Sequence, residues 1–312
     1  MFKKFFGIIL LIIFGVSLTS CKSGKVTYVD DCKLTVASPY GAPCALITPY
    51  TVKDGKENPN FTLRNVLGTA ISAEFTNEEN DFVIAPINAG INFYNKNKST
   101  FKIAGVITWG NLFFASTMED FSIDKINGKK LYSFNEASIT SALVLKVLEL
   151  YNITPSEIEY KGDAVSTAAL ISSDSVVVTA EPQLTSAKAK ISNIKSLSVT
   201  SLYENKVNGL SFTQAAIFVN PASIETKKEG IDKFLKSLSE LSQNVKNDPS
   251  IIADDCVREK IFTDTDSAKQ ALPGCNCYFK YAKEVKDSII ATANLGLNYY
   301  GGSLPGDEFY YA

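Results

Sequence analysis

The chain has 312 residues and a net charge of −2, from 31 lysines and arginines against 33 aspartates and glutamates. This balance excludes a basic surface for nucleic acid. Histidine is absent, which removes the commonest metal ligand and general base, and with it Ser-His and Cys-His catalysis. Apolar residues make up 45% of the chain, enough for a packed core, and its length favours two lobes or one large α/β unit.

The first 20 residues have the pattern of a secretory signal peptide. Lys3 and Lys4 precede an apolar stretch over residues 5–18, shorter than the roughly 20 residues that a membrane-spanning helix needs. The motif Leu18-Thr-Ser-Cys21 then resembles the lipobox of bacterial lipoproteins, whose cysteine is acylated before cleavage. We therefore expect a signal peptide over 1–20, lipid on Cys21, and a lipidated tether over 21–33 at the extracellular face of the cell membrane. The alternative is an ordinary cleaved signal in which Cys21 has no role.

Beyond Cys21 the chain has five cysteines. In an exported protein these thiols can pair, and a disulfide from Cys256 to Cys275 or Cys277 would close one C-terminal loop. The pairing stays open at this point, with Cys32 and Cys44 as further partners and one thiol of the five left over. Cys275-Asn-Cys277 lacks the two-residue spacer and the second ligand pair of a zinc site, so no metal is predicted.

Predicted strands and helices alternate along the chain, which is typical of an α/β fold with largely parallel strands. A capping box at Thr154–Glu157 predicts a short helical turn. Apolar runs and helical periodicity place the other elements. The predicted strands are 33–38, 82–85, 102–109, 112–116, 131–134, 158–160, 175–180 and 215–220, and the predicted helices are 139–151, 163–171, 230–245 and 279–299.

Several of these segments, in this order and spacing, resemble a known family. The chain is similar to the type II periplasmic-binding-protein fold, in the branch of ABC-transporter solute-binding lipoproteins akin to nitrate, sulfonate, taurine and thiamine-precursor binders. No single segment is specific, and the order and spacing of all of them carry the resemblance. The segments are Ser38–Pro43, Asp81–Asn88, Gly105–Asn111, Ile126–Leu131 with Phe134, Val176–Pro182, Gln214–Asn220 and Gly301–Phe309.

The resemblance implies a two-lobed α/β architecture in which each lobe is a mostly parallel sheet flanked by helices. Lobe 1 would contain residues 34–118 and 216–312, and lobe 2 residues 122–212. Two strand-like crossings, over 119–121 and 212–215, would form the hinge. The implied partners are a small-molecule solute and the permease and ATPase subunits of an ABC importer on separate chains, and no cofactor is implied.

The candidate ligand-binding residues follow strand ends, because ligands of α/β sheets bind beyond the carboxyl ends of the strands. Helix N-termini at these ends suit a polar or anionic solute. Each candidate also has a structural alternative as a turn residue, a helix cap or a core residue. Glu181 could bind a cationic group on the solute or close an interlobe hydrogen bond. The candidates are Ser38, Tyr40, Gly41, Ala42, Pro86, Asn88, Trp109, Asn111, Asn135, Ser138 and Glu181.

These features predict a membrane-anchored, extracytoplasmic solute-binding protein of an ABC importer. It would capture a small polar, anionic or heteroaromatic solute by hinge closure. Only Arg64 and Arg258 are arginines, and neither lies in a predicted pocket loop, which argues against a dianion clamped by arginine. The alternatives are a surface lipoprotein used for adhesion or sensing and, disfavoured by the missing histidine, a biosynthetic enzyme of the same fold.

Overall fold

The computed structural model describes residues 26–297 and 302–311. The predicted signal peptide, Cys21 and the start of the tether therefore lie outside the described residues. No helix of the described part combines the length and apolar character needed to cross a bilayer. The strands are β1 Leu34–Pro39, β2 Val52–Lys53, β3 Lys56–Glu57, β4 Phe61–Val66, β5 Phe82–Pro86, β6 Lys102–Thr108, β7 Leu112–Ser116, β8 Lys130–Phe134, β9 Glu157–Lys161, β10 Ser175–Ala180, β11 Lys195–Ser198, β12 Ala215–Val219 and β13 Cys277–Tyr281.

The helices lie mostly between the strands. The α-helices are α1 Ile87–Asn95, α2 Ile139–Leu150, α3 Ala164–Ala168, α4 Gln183–Lys188, α5 Val199–Glu204, α6 Pro221–Asn247, α7 Ala253–Arg258, α8 Thr265–Cys275 and α9 Lys286–Leu295. Shorter 3-10 segments occupy Ala42–Thr51, Ile71–Thr76, Ile123–Ile126, Pro249–Ile252, Ala282–Val285 and Asp307–Phe309.

Two sheets define the two lobes. The first has the strand order β13-β6-β12-β5-β1-β4, and the second has the order β11-β7-β10-β8-β9. In the first, β4, β1 and β5 are parallel and β12 is antiparallel to both of its neighbours. In the second, β9, β8 and β10 are parallel and β7 is antiparallel to both of its neighbours. At the edge of the first sheet, β13 is antiparallel to β6. The predicted two-lobed α/β fold is confirmed, and both sheets are mixed, with parallel and antiparallel pairings.

Helices cover both faces of each sheet. On the first sheet, α6 packs Phe234 and Leu238 against one face, while α1 and α9 pack Ile91 and Ile289 against the other. On the second sheet, α2 and α5 cover one face, and α3 and α4 cover the other. The lobes also contact each other, since α2 packs against α9 and α4 against α8.

The connections between the lobes differ from the sequence prediction at one point. β7 pairs with β10 and β11, so the chain enters the second lobe over residues 109–111 and not over 119–121. The first part of lobe 1 thus ends at Thr108, ten residues before the predicted boundary at 118. The return lies just before β12, which begins at Ala215. The apolar run at 112–116 predicted a strand buried on both faces. It could not predict to which of the two sheets that strand belongs.

Two local predictions were also wrong. Residues 277–281 form strand β13 on the edge of the first sheet, and the predicted helix 279–299 is restricted to Lys286–Leu295. No helical turn forms at Thr154–Glu157, because Glu157 begins β9 and its carboxylate lies 3.1 Å from the ammonium of Lys130 on β8.

The disulfide that the sequence left open is not formed among the described residues. Cys256, Cys275 and Cys277 are free thiols, as are Cys32 and Cys44. The Cys256 sulfur lies 3.7 Å from the Thr48 hydroxyl oxygen, and the Cys277 thiol donates a hydrogen bond to the carbonyl oxygen of Ala42 at 3.1 Å. These thiols are therefore packed as small apolar groups with local hydrogen-bond partners.

Candidate functional site

A cavity of about 380 Å³ lies between the lobes, where strand ends of both sheets meet. The ends of β1 and β5 contribute from the first lobe and those of β8 and β10 from the second, while residue 111 and Gln214 contribute from the two connections. The carboxyl ends of parallel strands form such crevices in α/β proteins. Nine of the predicted residues line the cavity: Tyr40, Gly41, Ala42, Pro86, Asn88, Asn111, Asn135, Ser138 and Glu181.

The first lobe presents two helix N-termini to the cavity. The 3-10 helix Ala42–Thr51 begins after Gly41, whose φ of +104° favours glycine, and α1 begins after Pro86. Neither N-terminus is capped by a side chain. The N–H of Ile87 already donates to the Gln214 carbonyl oxygen at 3.2 Å. The other first N–H groups of a helix lack intrahelical partners and carry partial positive charge, so this wall can still donate hydrogen bonds to a solute.

In the second lobe, the side chains at the cavity already cap their own helices. The Ser138 hydroxyl oxygen accepts from the backbone N–H of Ser141 at 3.1 Å and so caps α2. The same hydroxyl donates to the carbonyl oxygen of Asn135 at 2.6 Å, and Asn135 itself has a φ of +53°. Ser138 is therefore a helix cap and Asn135 a turn residue, as their structural alternatives predicted. Contact with a solute would be an additional role.

Glu181 is the one carboxylate among the residues that line the cavity, and it is only 7% exposed. Its two oxygens accept from the backbone N–H and the hydroxyl of Thr185, each at 3.1 Å, so Glu181 stabilises the start of α4. Burial raises the pKa of Glu181, and the hydrogen bonds from Thr185 offset part of that rise. No side-chain hydrogen bond of Glu181 reaches the first lobe among the described residues, although its side chain lies against Gly274 of α8.

Asn111 joins both connections to the second sheet. Its side-chain Nδ2 donates to the Glu181 carbonyl oxygen at 2.9 Å, and its backbone carbonyl accepts from the Glu181 N–H at 3.0 Å. Its backbone N–H donates to the side-chain oxygen of Gln214 at 3.1 Å. The Oδ1 atoms of Asn111 and Asn88 are buried without a hydrogen-bond partner among the described residues. Buried acceptors of this kind are costly, so a donor that reached either atom would stabilise it.

No family model matches the sequence, and no curated protein matches it. Solved structures do. An ABC transporter protein from Parabacteroides distasonis superposes with a TM-score of 0.75 at 21% identity, over 90% of this chain and 99% of that one. The periplasmic aliphatic sulphonate binding protein from Escherichia coli gives a TM-score of 0.62 at 12% identity, over 88% and 94%. A zinc-bound ligand-binding component of an ABC-type import system from Staphylococcus aureus also gives 0.62 at 12% identity, over 90% and 96%.

The chain has the periplasmic-binding-protein fold. The topology agrees with this result. In each sheet, the strand that follows a connection between the lobes is antiparallel to both of its neighbours. These strands are β7 after the outward crossing and β12 after the return. The described residues contain no group of three or more Cys, Asp or Glu side chains that could hold a metal ion.

Two predicted residues do not line the cavity of this periplasmic-binding-protein fold. Ser38 is buried beneath the first loop, and its hydroxyl donates to the carbonyl oxygen of Pro39 at 3.2 Å. Trp109 is 2% exposed, its ring stacks on Tyr278 at 4.7 Å, and its Nε1 donates to the Tyr278 carbonyl oxygen at 2.7 Å. Both therefore have the core role that was their structural alternative.

The cavity also includes residues that the sequence analysis missed. Gln214 precedes β12, and the amino end of an antiparallel strand lies at the same sheet edge as the carboxyl ends of its parallel neighbours. Gly68 and Ser72 follow β4, which was not predicted. The alternation of Phe61 and Leu63 with polar residues was the signal for that strand. Gln183 lies two residues beyond Glu181 in the same turn.

Proposed function

We propose that this chain is a solute-binding protein of an ABC importer that captures a small polar solute between its two lobes. One observation carries the proposal: strand ends from both lobes line a single cavity, and only the two connections at 109–111 and before Ala215 join the lobes through the chain. The similar solved structures include ligand-binding components of ABC import systems, which supports the same role. The permease and the ATPase would be separate chains.

Capture would work by closure of the lobes on the solute. A solute that contacts both walls favours the closed arrangement, and moving the equilibrium from about 1:99 to 99:1 takes roughly 5.5 kcal/mol of differential binding. The uncapped helix N-termini of the first lobe and Glu181 of the second supply contacts on opposite walls. The role proposed here is binding and delivery, with no catalytic step.

Closure predicts that a bound solute makes the protein more compact. Small-angle X-ray scattering of the protein, alone and with a solute found by thermal-shift screening, should show a fall in the radius of gyration. The closed value should approach the roughly 19 Å expected for a compact chain of about 290 residues. A compound from the same screen that leaves the thermal midpoint unchanged is the control. A tightly bound solute that leaves the scattering curve unchanged would contradict the proposal.

Lipid on Cys21 is the proposed membrane anchor. Two or three acyl chains hold a protein on a membrane far longer than one chain does, at about 0.8 kcal/mol per buried CH₂. We expect mass spectrometry of the N-terminal peptide to show the added acyl mass in the wild type and to show none in Cys21→Ala. Cys32→Ala is the matched control and should keep the acyl mass. A wild-type N-terminal peptide without acyl mass would argue against the anchor.

A further inference from the structure

The charge balance of the cavity is unusual for a site that binds anions. Glu181 lines it, and the lining residues that the structure describes include no lysine or arginine. Both arginines are engaged elsewhere: Arg64 lies 3.5 Å from the Glu74 carboxylate, and Arg258 lies 2.5 Å from that of Asp255. An anionic group beside Glu181 would thus face a carboxylate with no basic side chain to balance it, in a site where little water screens the repulsion.

The acceptors at the same wall are not saturated. Thr185 occupies one lone pair on each Glu181 oxygen, and a carboxylate has about two on each. The orientation of the Asn111 amide follows from its Nδ2 atom, which donates to a carbonyl oxygen and so leaves Oδ1 as the acceptor without a partner. Asn111 is 6% exposed and lines the cavity, so a donor that enters beside it would give its Oδ1 atom the missing partner.

We infer that the solute is an amine, either an organic cation or a zwitterion, whose protonated nitrogen pairs with Glu181 and donates to Asn111. This inference rests on the proposed binding function and names the class of its solute. An ammonium group has three donors and no acceptor, which matches the Glu181 carboxylate and the Asn111 Oδ1 atom on this wall. The uncapped N-termini of α1 and of the 3-10 helix Ala42–Thr51 suit a carboxylate or sulfonate at the other end of a zwitterion.

The test compares probe compounds that differ in the amine alone. Taurine with ethanesulfonate, β-alanine with propionate, and benzylamine with benzyl alcohol are screened by thermal shift and titrated by calorimetry. We expect amine members to bind, each at least tenfold more tightly than its partner compound. Glu181→Gln should weaken amine binding by at least tenfold, and the glutamine oxygen can still accept from Thr185.

Glu149→Gln is the matched control, because Glu149 is an exposed carboxylate of the same lobe on α2. It should leave all affinities unchanged, and circular dichroism of both variants should match that of the wild type. Tighter binding of the deaminated compounds, or of amines by Glu181→Gln, would overturn the inference. Either result would leave the proposed function intact if the scattering experiment still showed closure of the lobes. Failure of every pair to bind also overturns it, and the scattering experiment then judges the proposed function separately.

Discussion

Replacing Trp109 with alanine is expected to lower the free energy of unfolding by about 3–5 kcal/mol. Trp109 is the only tryptophan of the chain and begins the outward connection between the lobes. Its side chain is 2% exposed, stacks on Tyr278 and donates a hydrogen bond to the Tyr278 carbonyl oxygen. Alanine would leave a large cavity beside β13 and a buried carbonyl oxygen without its donor.

Chemical denaturation followed by far-ultraviolet circular dichroism measures this loss. Trp109→Phe is the matched control, since it keeps an aromatic ring on Tyr278 and removes the Nε1 hydrogen bond with a small part of the ring. Its expected loss is about 1–2 kcal/mol, which separates the packing of the ring from the hydrogen bond. Equal losses for the two variants would show that the stacked ring contributes little.

Gly110→Ala is expected to destabilise the protein by at least about 3 kcal/mol. Gly110 has a φ of +95°, and a Cβ there would lie 2.1 Å from the Thr200 hydroxyl oxygen and 3.1 Å from the Phe212 ring. Thr200 is buried on α5 of the second lobe, so the contact can be relieved only by moving the connection or the helix. Because Asn111 is the next residue, the affinity for the solute should fall as well.

Gly209→Ala separates strain from steric conflict in that experiment. Gly209 has a comparable φ of +81°, but a Cβ there would meet no atom within 4 Å. Its expected loss is the cost of a left-handed backbone alone, about 1–2 kcal/mol. Denaturation curves for both variants, with calorimetric titration of the solute, make the comparison. Similar losses at the two positions would mean that the connection at 110 is not tightly packed.

Local patterns predicted most of the strands that build the cavity. β5 and β10 are short apolar runs ended by Pro86 and Pro182, and burial on both faces leaves little choice but a central strand. The rule that ligands bind beyond the carboxyl ends of strands then predicted Gly41, Asn88 and Glu181 as binding residues, and all three line the same cavity. Their contact with a solute remains a prediction.

Other elements could not be predicted, because their environment decides them. Tyr278 and Lys280 alternate with buried Cys277 and Phe279, but the edge position beside β6 is what makes that segment a strand. A capping box at Thr154–Glu157 has real helical preference, and the pairing of β9 with β8 overrides it. From the sequence, Trp109 could face either the cavity or the core. It lies in the core because it stacks on Tyr278, which is 169 positions later in the chain.

The sequence by itself determined the fold class, the order of the strand ends at the cavity, and the absence of histidine chemistry, since each of these depends on composition or on neighbours along the chain. Only the tertiary structure decided that β7 belongs to the second sheet and that, among the described residues, Glu181 faces no basic side chain across the cavity. The physical reason is the same for both. Strand pairing and charge balance depend on groups that are distant in sequence, and folding alone brings those groups within a few ångströms of each other.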